Sequence, residues 1–428
     1  MFDFLDFKAV FSLIIIIFII GYNLVCAFRS KQYYQFWSPM TFISLIFFYY
    51  TIYVPISFIL SGERFIYGYN LSYGISYSWM GACLSLICIS IGFKLSRFRI
   101  KKDLSVAIKE NILLYLGIVL FLTGVLFYSL YRPIQFSISR ISDSIELNNS
   151  GALSWYAINC ISFLVCACCL LLPAIFNKKK YFLFLFIIFA FITYIVGGFR
   201  YRLVYLIISL ATMYHLYFRK KINYYIWIPV SIGFFLLMGL MFFTRSYSRG
   251  LDLTYVNELS TAQLAEGGRE EGKGVFFYSG CVMKKVEENG RYIYFEPIVT
   301  ALAMPIPRQW YANKPDGKYL IYAQNMVFNN PRNNFGAAYL NYTESFYAFS
   351  WFGIIFNGLF LGFLSKYFWV RFLKNSFSLN SILLLSLYNG FTYVMISRGY
   401  LAQELTGFLL FIIIPYFLYK KMCLFIKK

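Results

Sequence analysis

The sequence predicts an all-α, polytopic membrane protein, and three observations carry that prediction. Hydrophobic residues fill 60% of its 428 positions and charged residues 13%, against roughly 45–50% and about 25% in soluble domains. Apolar runs of about 18–20 residues recur along the chain, each long enough to cross a hydrocarbon core of roughly 30 Å as a helix. The runs are apolar on every face, whereas helices of a soluble protein this long carry one apolar stripe each.

Eleven spans follow in order, at about 9–28, 38–60, 71–93, 111–130, 155–176, 181–198, 203–218, 222–243, 344–364, 379–396 and 402–419. The first opens on "MFDFLDFK" with two acids, exceeds the apolar core of a signal peptide and lacks a small-residue cleavage site, so it reads as a retained span. Alternate connections ("RSK", "KLSRFRIKKDLSVAIK", "NKKK", "FRKK", "KYFWVRFLK" and "KKMCLFIKK") hold 21 of the 39 Lys and Arg, and the short segments on the other side hold 7. Basic residues mark the cytoplasmic side. The amino terminus is therefore expected in the periplasm, the carboxyl terminus in the cytoplasm, and the 95-residue connection 244–338 outside. The net charge of +21 follows from this topology and from attraction to anionic lipid, and it gives no reason to expect nucleic acid. The chain divides into spans one to eight (1–243), the long connection (244–338), and spans nine to eleven with the carboxyl terminus (339–428).

The cysteines predict no disulfide framework, since Cys281 stands alone in the long connection and Cys166, Cys168 and Cys169 sit together on the fifth span as small packing residues. His215, the only histidine, falls at an inner helix end. No Cys/His spacing suggests a metal, and no cofactor is expected.

Charged residues inside or beside the apolar runs carry the functional reading. From Tyr181 to Phe218 the chain has 38 residues for two crossings, so the turn "VGGFRYRLV" must lie at or just below the outer surface and bring Arg200 and Arg202 to the external edge. Snorkelling to lipid phosphates is one explanation. The other is a site, because the inside bias of basic residues disfavours arginines on this short turn. Arg245, Arg249, Arg332 and Arg398 gather at the same level. Guanidinium forks match phosphate oxygens bidentately, and a pyrophosphate-linked lipid would need several of them.

Within 244–338, "EGGREEGKG" reads as a mobile, polar tip. Further on, Pro305, Pro307 and Pro315 fix turns that hold Arg308, Trp310 and Tyr311. The aromatics suit either a sugar ring or an interfacial belt. Two carboxylates stand at the outer ends of spans, Glu344 in "NYTESFYAFSWFG" and Glu404 in "SRGYLAQELTG". Either caps a helix amino terminus or serves as a base that activates a sugar hydroxyl.

Taken together, "GGFRYR", "IPRQWYANKP", "YTESFYAFSWFGIIFNGLFLGFL" and "SRGYL", set in this hydropathy plan, resemble the Wzy-type O-antigen polymerases. These are membrane glycosyltransferases of the C type that join lipid-linked oligosaccharide repeat units. The resemblance implies an inverting, metal-independent enzyme of the bacterial inner membrane acting at the periplasmic face. It implies that Arg200, Arg202 and Arg398, with Arg245, Arg308 and Arg332, hold undecaprenyl pyrophosphate, and that a chain-length regulator is a partner. The related O-antigen ligases use a periplasmic histidine that this chain lacks. A flippase for lipid-linked oligosaccharides is the alternative of a different class, but it would bury charge along a central cavity and keep its loops short. Glu344 is the expected base.

Overall fold

In the computed structural model the described residues are 6–66, 68–100, 110–131, 159–243, 260–306, 310–315, 317–327, 338–375 and 378–425. They form helices almost throughout, with one antiparallel pair of two-residue strands, β1 (Phe65–Ile66) and β2 (Tyr69–Asn70), closing a turn. The helices are α1 (Phe7–Arg29), α2 (Pro39–Leu60), α3 (Leu71–Leu95), α4 (Glu110–Tyr131), α5 (Cys160–Asn177), α6 (Tyr181–Val196) and α7 (Arg200–Phe218). There follow α8 (Tyr224–Phe243), α9 (Thr261–Asn289), α10 (Glu296–Ala303), α11 (Lys318–Val327), α12 (Asn341–Lys374), α13 (Leu379–Ser397) and α14 (Leu401–Cys423). Among the described residues, 9 helices are long and apolar enough to cross a membrane. The molecule is an all-α, multi-pass membrane protein. Each expected span coincides with a helix. Those outside the nine are α6, an apolar helix in the shorter class, and α7, which opens on the two arginines.

Without a hydrophobic force between helices in lipid, close backbone packing holds a bundle together. On the α3–α12 seam a Cβ on Gly92 would meet the Leu359 carbonyl at 2.5 Å. Two spans accommodate a proline by the same device. Proline removes a helical hydrogen bond and frees the carbonyl four residues earlier. In α2, Pro55 follows a π-helical stretch (Phe48–Tyr53), and the freed Thr51 carbonyl accepts from Trp79 Nε1 of α3 at 2.8 Å. In α14, Pro415 follows the π stretch Leu409–Ile413, and the freed Phe411 carbonyl accepts from the Tyr205 hydroxyl of α7 at 2.9 Å. An indole and a phenol from neighbouring helices thus satisfy carbonyls that the hydrocarbon could not.

The segment 244–338 differs from expectation. "EGGREEGKG" is the first half of α9, a helix started by a Ser260/Gln263 capping box and ended by left-handed Gly290. Its 29 residues span about 43 Å. Val275 to Met283 are buried against α3, where Gly280 lies on Gly74 so closely that a Cβ would meet the Gly74 carbonyl at 1.8 Å. The charges are not a solvated tip either: Arg269 and Lys273 both pair with Glu63 of the α2–α3 connection. Glycine here permits a crossing, and the polar residues pair across it.

Candidate active site

The α6–α7 hairpin closes tightly. Gly198 takes a left-handed φ of 68°, and the Phe199 N–H donates to the Tyr194 carbonyl at 2.9 Å. α7 therefore begins at Arg200, three residues earlier than expected, and both arginines lie in its first turn, where the helix dipole disfavours positive charge. Neither reaches outward. Arg200 is 7% exposed and Arg202 2%, so the protein encloses them and snorkelling does not explain them.

Arg202 is held by one strong bond. Its Nη2 donates to Asn159 Oδ1 at 2.6 Å. Its guanidinium stands 4.2 Å from the Phe199 ring, 5.5 Å from Tyr201 and 5.7 Å from Phe411, contacts that favour a desolvated cation. Nε and Nη1 have no hydrogen-bond partner among the described residues. Arg398, at the end of α13, approaches the same Tyr201 ring at 5.6 Å. Asn159, Tyr201 and Phe411 line a cavity of about 300 Å³, completed by Met304, Tyr400 and Gln403 among others.

Glu344 is built on a broken helix. α12 leaves helical geometry at Phe349 and Ser350, the latter at φ 55°, ψ −148°, a region that side chains other than glycine occupy only under constraint. The carbonyls stranded by the break, Tyr347 and Ala348, accept from the Ile293 and Tyr294 N–H groups at 3.1 Å each. The short first piece of α12 thus carries Glu344 beneath the long connection. Its carboxylate, 6% exposed, accepts from the Tyr319 hydroxyl at 2.6 Å and from the Leu401 N–H at 2.6 Å. Burial and the Glu344 charge raise the Tyr319 pKa far above that of a free phenol, so Tyr319 remains a donor at any working pH. The same two causes push Tyr400 up to about 12.

A second cavity, about 520 Å³, holds Glu344 and Glu404 together with Phe295, Phe352 and Phe356. Phe352 and Phe356 are 72% and 73% exposed, so this cavity opens sideways along an aromatic strip of α12, where the bilayer would lie.

"SRGYL" joins the two cavities. Arg398 lies against Tyr201, a wall of the first cavity. Gly399 seats against the start of α12, its N–H donating to the Tyr339 carbonyl at 2.9 Å, and a Cβ there would meet the Leu340 carbonyl at 2.6 Å. Tyr400 forms a wall of the first cavity, and Leu401 bonds Glu344 in the second. The first turns of α14 separate the cavities, with Gln403 on one side and Glu404 on the other.

The structure therefore sets Arg202 and Arg398 against one ring, Tyr201, and places Glu344 with Glu404. Trp310, 82% exposed, and Tyr311 lie on the surface outside the walls of both cavities. Arg245, Arg249, Arg308 and Arg332 lie outside the described residues, as does Pro307. Sequence reasoning passed over Asn159 and Tyr319, although each holds a site residue directly. Tyr201 and Tyr400 stood inside quoted motifs and were legible as neighbours of arginine. No family model, curated protein or solved structure matches the chain.

Proposed function

We propose that this protein is a membrane glycosyltransferase that polymerises oligosaccharide repeat units linked to undecaprenyl pyrophosphate, at the periplasmic face of a bacterial inner membrane. The observation that carries the reading is Arg202, a buried cation with two nitrogens unpartnered among the described residues, held by Asn159 and lying, like Arg398, against the ring of Tyr201, two residues that line the first cavity. Buried donors are ordinarily satisfied, and an anionic group bearing several oxygens would satisfy these. The adjoining cavity with Glu344 and its sideways opening suits a substrate that is part lipid and part sugar.

In this reading the arginines bind the pyrophosphate of the growing chain and stabilise its charge as it leaves. Glu344, fixed by Tyr319 and Leu401, takes the proton from the hydroxyl of the incoming repeat unit. That hydroxyl oxygen bonds to the anomeric carbon as the bond to the pyrophosphate oxygen breaks, and configuration inverts. Glu404 faces the same cavity and orients the acceptor.

The test is the glycan pattern of a strain whose only copy carries Arg202→Ala. Single repeats accumulating on the lipid anchor are expected. Long glycans on the anchor that never reach the lipopolysaccharide core would indicate a ligase instead, and repeats trapped on the cytoplasmic side a flippase.

A further inference from the structure

Away from this site, four helix ends converge on the side rich in basic connections: the ends of α5 and α7 and the starts of α6 and α8. The Phe176 ring lies 5.7 Å from Phe184 and 5.1 Å from Tyr214. The two connections contribute Lys178, Lys179 and Lys180 on one side and Arg219, Lys220 and Lys221 on the other. Each reverses through a basic residue in the left-handed region, Lys179 at φ 52° and Arg219 at φ 53°.

Behind this rim runs a cavity of about 470 Å³ between α5, α6, α7 and α8, with Trp227 and Tyr214 near the rim and Phe191 and Leu237 deepest. Seven to ten helical residues separate the two levels, a depth of about 10–15 Å. α8 is tied to α7 at the rim, where Trp227 Nε1 donates to His215 Nε2 at 2.9 Å, and it packs along α9, which leaves the gap between. The polar atoms of the wall are committed. The Trp227 N–H is used as described, and the Tyr214 hydroxyl accepts from Lys220 Nζ at 3.0 Å. A space this apolar offers water too few partners. A Cβ on Gly233 would meet nothing within 4 Å, so the cavity reaches the α8 backbone.

We propose that this cavity holds an acyl chain of an anionic glycerophospholipid from the adjacent leaflet, with its headgroup phosphate on the basic rim. Apolar depth alone would take any chain, but the two basic connections that join these helices select an anionic headgroup; Lys178 is engaged by Asn111 and Lys220 by Tyr214, which leaves the selection to Lys179, Lys180 and Lys221. The proposal does not rest on the glycosyltransferase reading, because it uses none of the residues of that site.

Native mass spectrometry of the full chain, incubated with phosphatidylglycerol or phosphatidylcholine of matched chains, tests it. Retention of phosphatidylglycerol at least tenfold above phosphatidylcholine is expected. A basic residue at an anionic lipid surface is worth about fivefold in affinity, so Lys179→Gln/Lys180→Gln/Lys221→Gln should reduce that preference by at least tenfold. Gly233→Leu fills the cavity without changing charge and should remove retained lipid of both kinds. Ala211→Leu, entering from α7, is the second filler should the first fail to fold. Equal retention of the two lipids, a preference that survives the triple substitution, or retention unchanged by a folded filling variant would overturn the proposal. So would a lipid-free dimer that the filling variants dissociate, because a second copy would then occupy the groove.

Discussion

Arg202 and Glu344 are both ionisable, both buried, and both near the start of a broken or tightly turned helix, yet they are solvated in opposite ways. Both oxygens of Glu344 accept a hydrogen bond, from Tyr319 and Leu401. Arg202 places one nitrogen on Asn159 and leaves Nε and Nη1 unpartnered among the described residues. The carboxylate is therefore fixed by the fold itself, while the guanidinium keeps two donors without an acceptor among the described residues. In the proposed function that difference separates a positioned base from a binding group, and the two residues should respond oppositely to substitution.

The largest effect should come from Glu344→Gln. Loss of a general base costs about 10²–10⁴ in rate, so a gel of surface glycan should show single repeats in place of a ladder. The same change also turns one acceptor into a donor facing Tyr319 or Leu401. Each donor left unsatisfied costs about 1–3 kcal/mol, so thermal unfolding of the purified variant should fall as well. Glu404→Gln is the control, since the Glu404 carboxylate faces the same cavity from the other helix. Normal polymerisation by Glu344→Gln together with failure by Glu404→Gln would transfer the role of base to Glu404.

Tyr319→Phe should fall between. It removes one support from Glu344 without touching the carboxylate, destabilising by about 1–3 kcal/mol and slowing polymerisation less than Glu344→Gln does. Equal losses of activity in the two variants would mean that Tyr319 acts on substrate directly. The smallest effect belongs to Tyr205→Phe, which strands the carbonyl of Phe411, a residue whose ring lies near Arg202. A destabilisation of about 1–2 kcal/mol with Arg202 still in place is expected, read from the unfolding midpoint in detergent.

The spans were legible because crossing a membrane demands length and apolarity, which composition displays directly. α6 and α7 were readable even as a short hairpin, since Gly197 and Gly198 announce the turn. α9 was not legible. Its glycines and charges have the composition of a loop, and only the α3 surface, with Gly74 facing Gly280, turns them into a packed helix. The break in α12 was equally hidden, because Phe349 and Ser350 carry no glycine or proline signal and the strain is held from outside by Ile293 and Tyr294. For the site, sequence found the charges but not their supports. An arginine in an apolar run is conspicuous, whereas Asn159 and Tyr319 are ordinary residues until the fold sets them 2.6 Å from a buried charge.

The most direct test of the account replaces Arg202 by methionine, which keeps an unbranched apolar stem and removes the charge and the donors. Unfolding and the binding of an undecaprenyl-pyrophosphate-linked glycan are then measured on the same preparation. Removing an incompletely paired buried cation should leave stability unchanged or slightly higher. Loss of two hydrogen bonds to a charged ligand, at about 1.5–3 kcal/mol each, should weaken binding by about a hundredfold or more. Arg202→Lys should recover part of that loss, since a point charge cannot form the fork. A methionine variant that binds as tightly as the original, or that unfolds as readily as Glu344→Gln, would contradict the account and make Arg202 a structural residue.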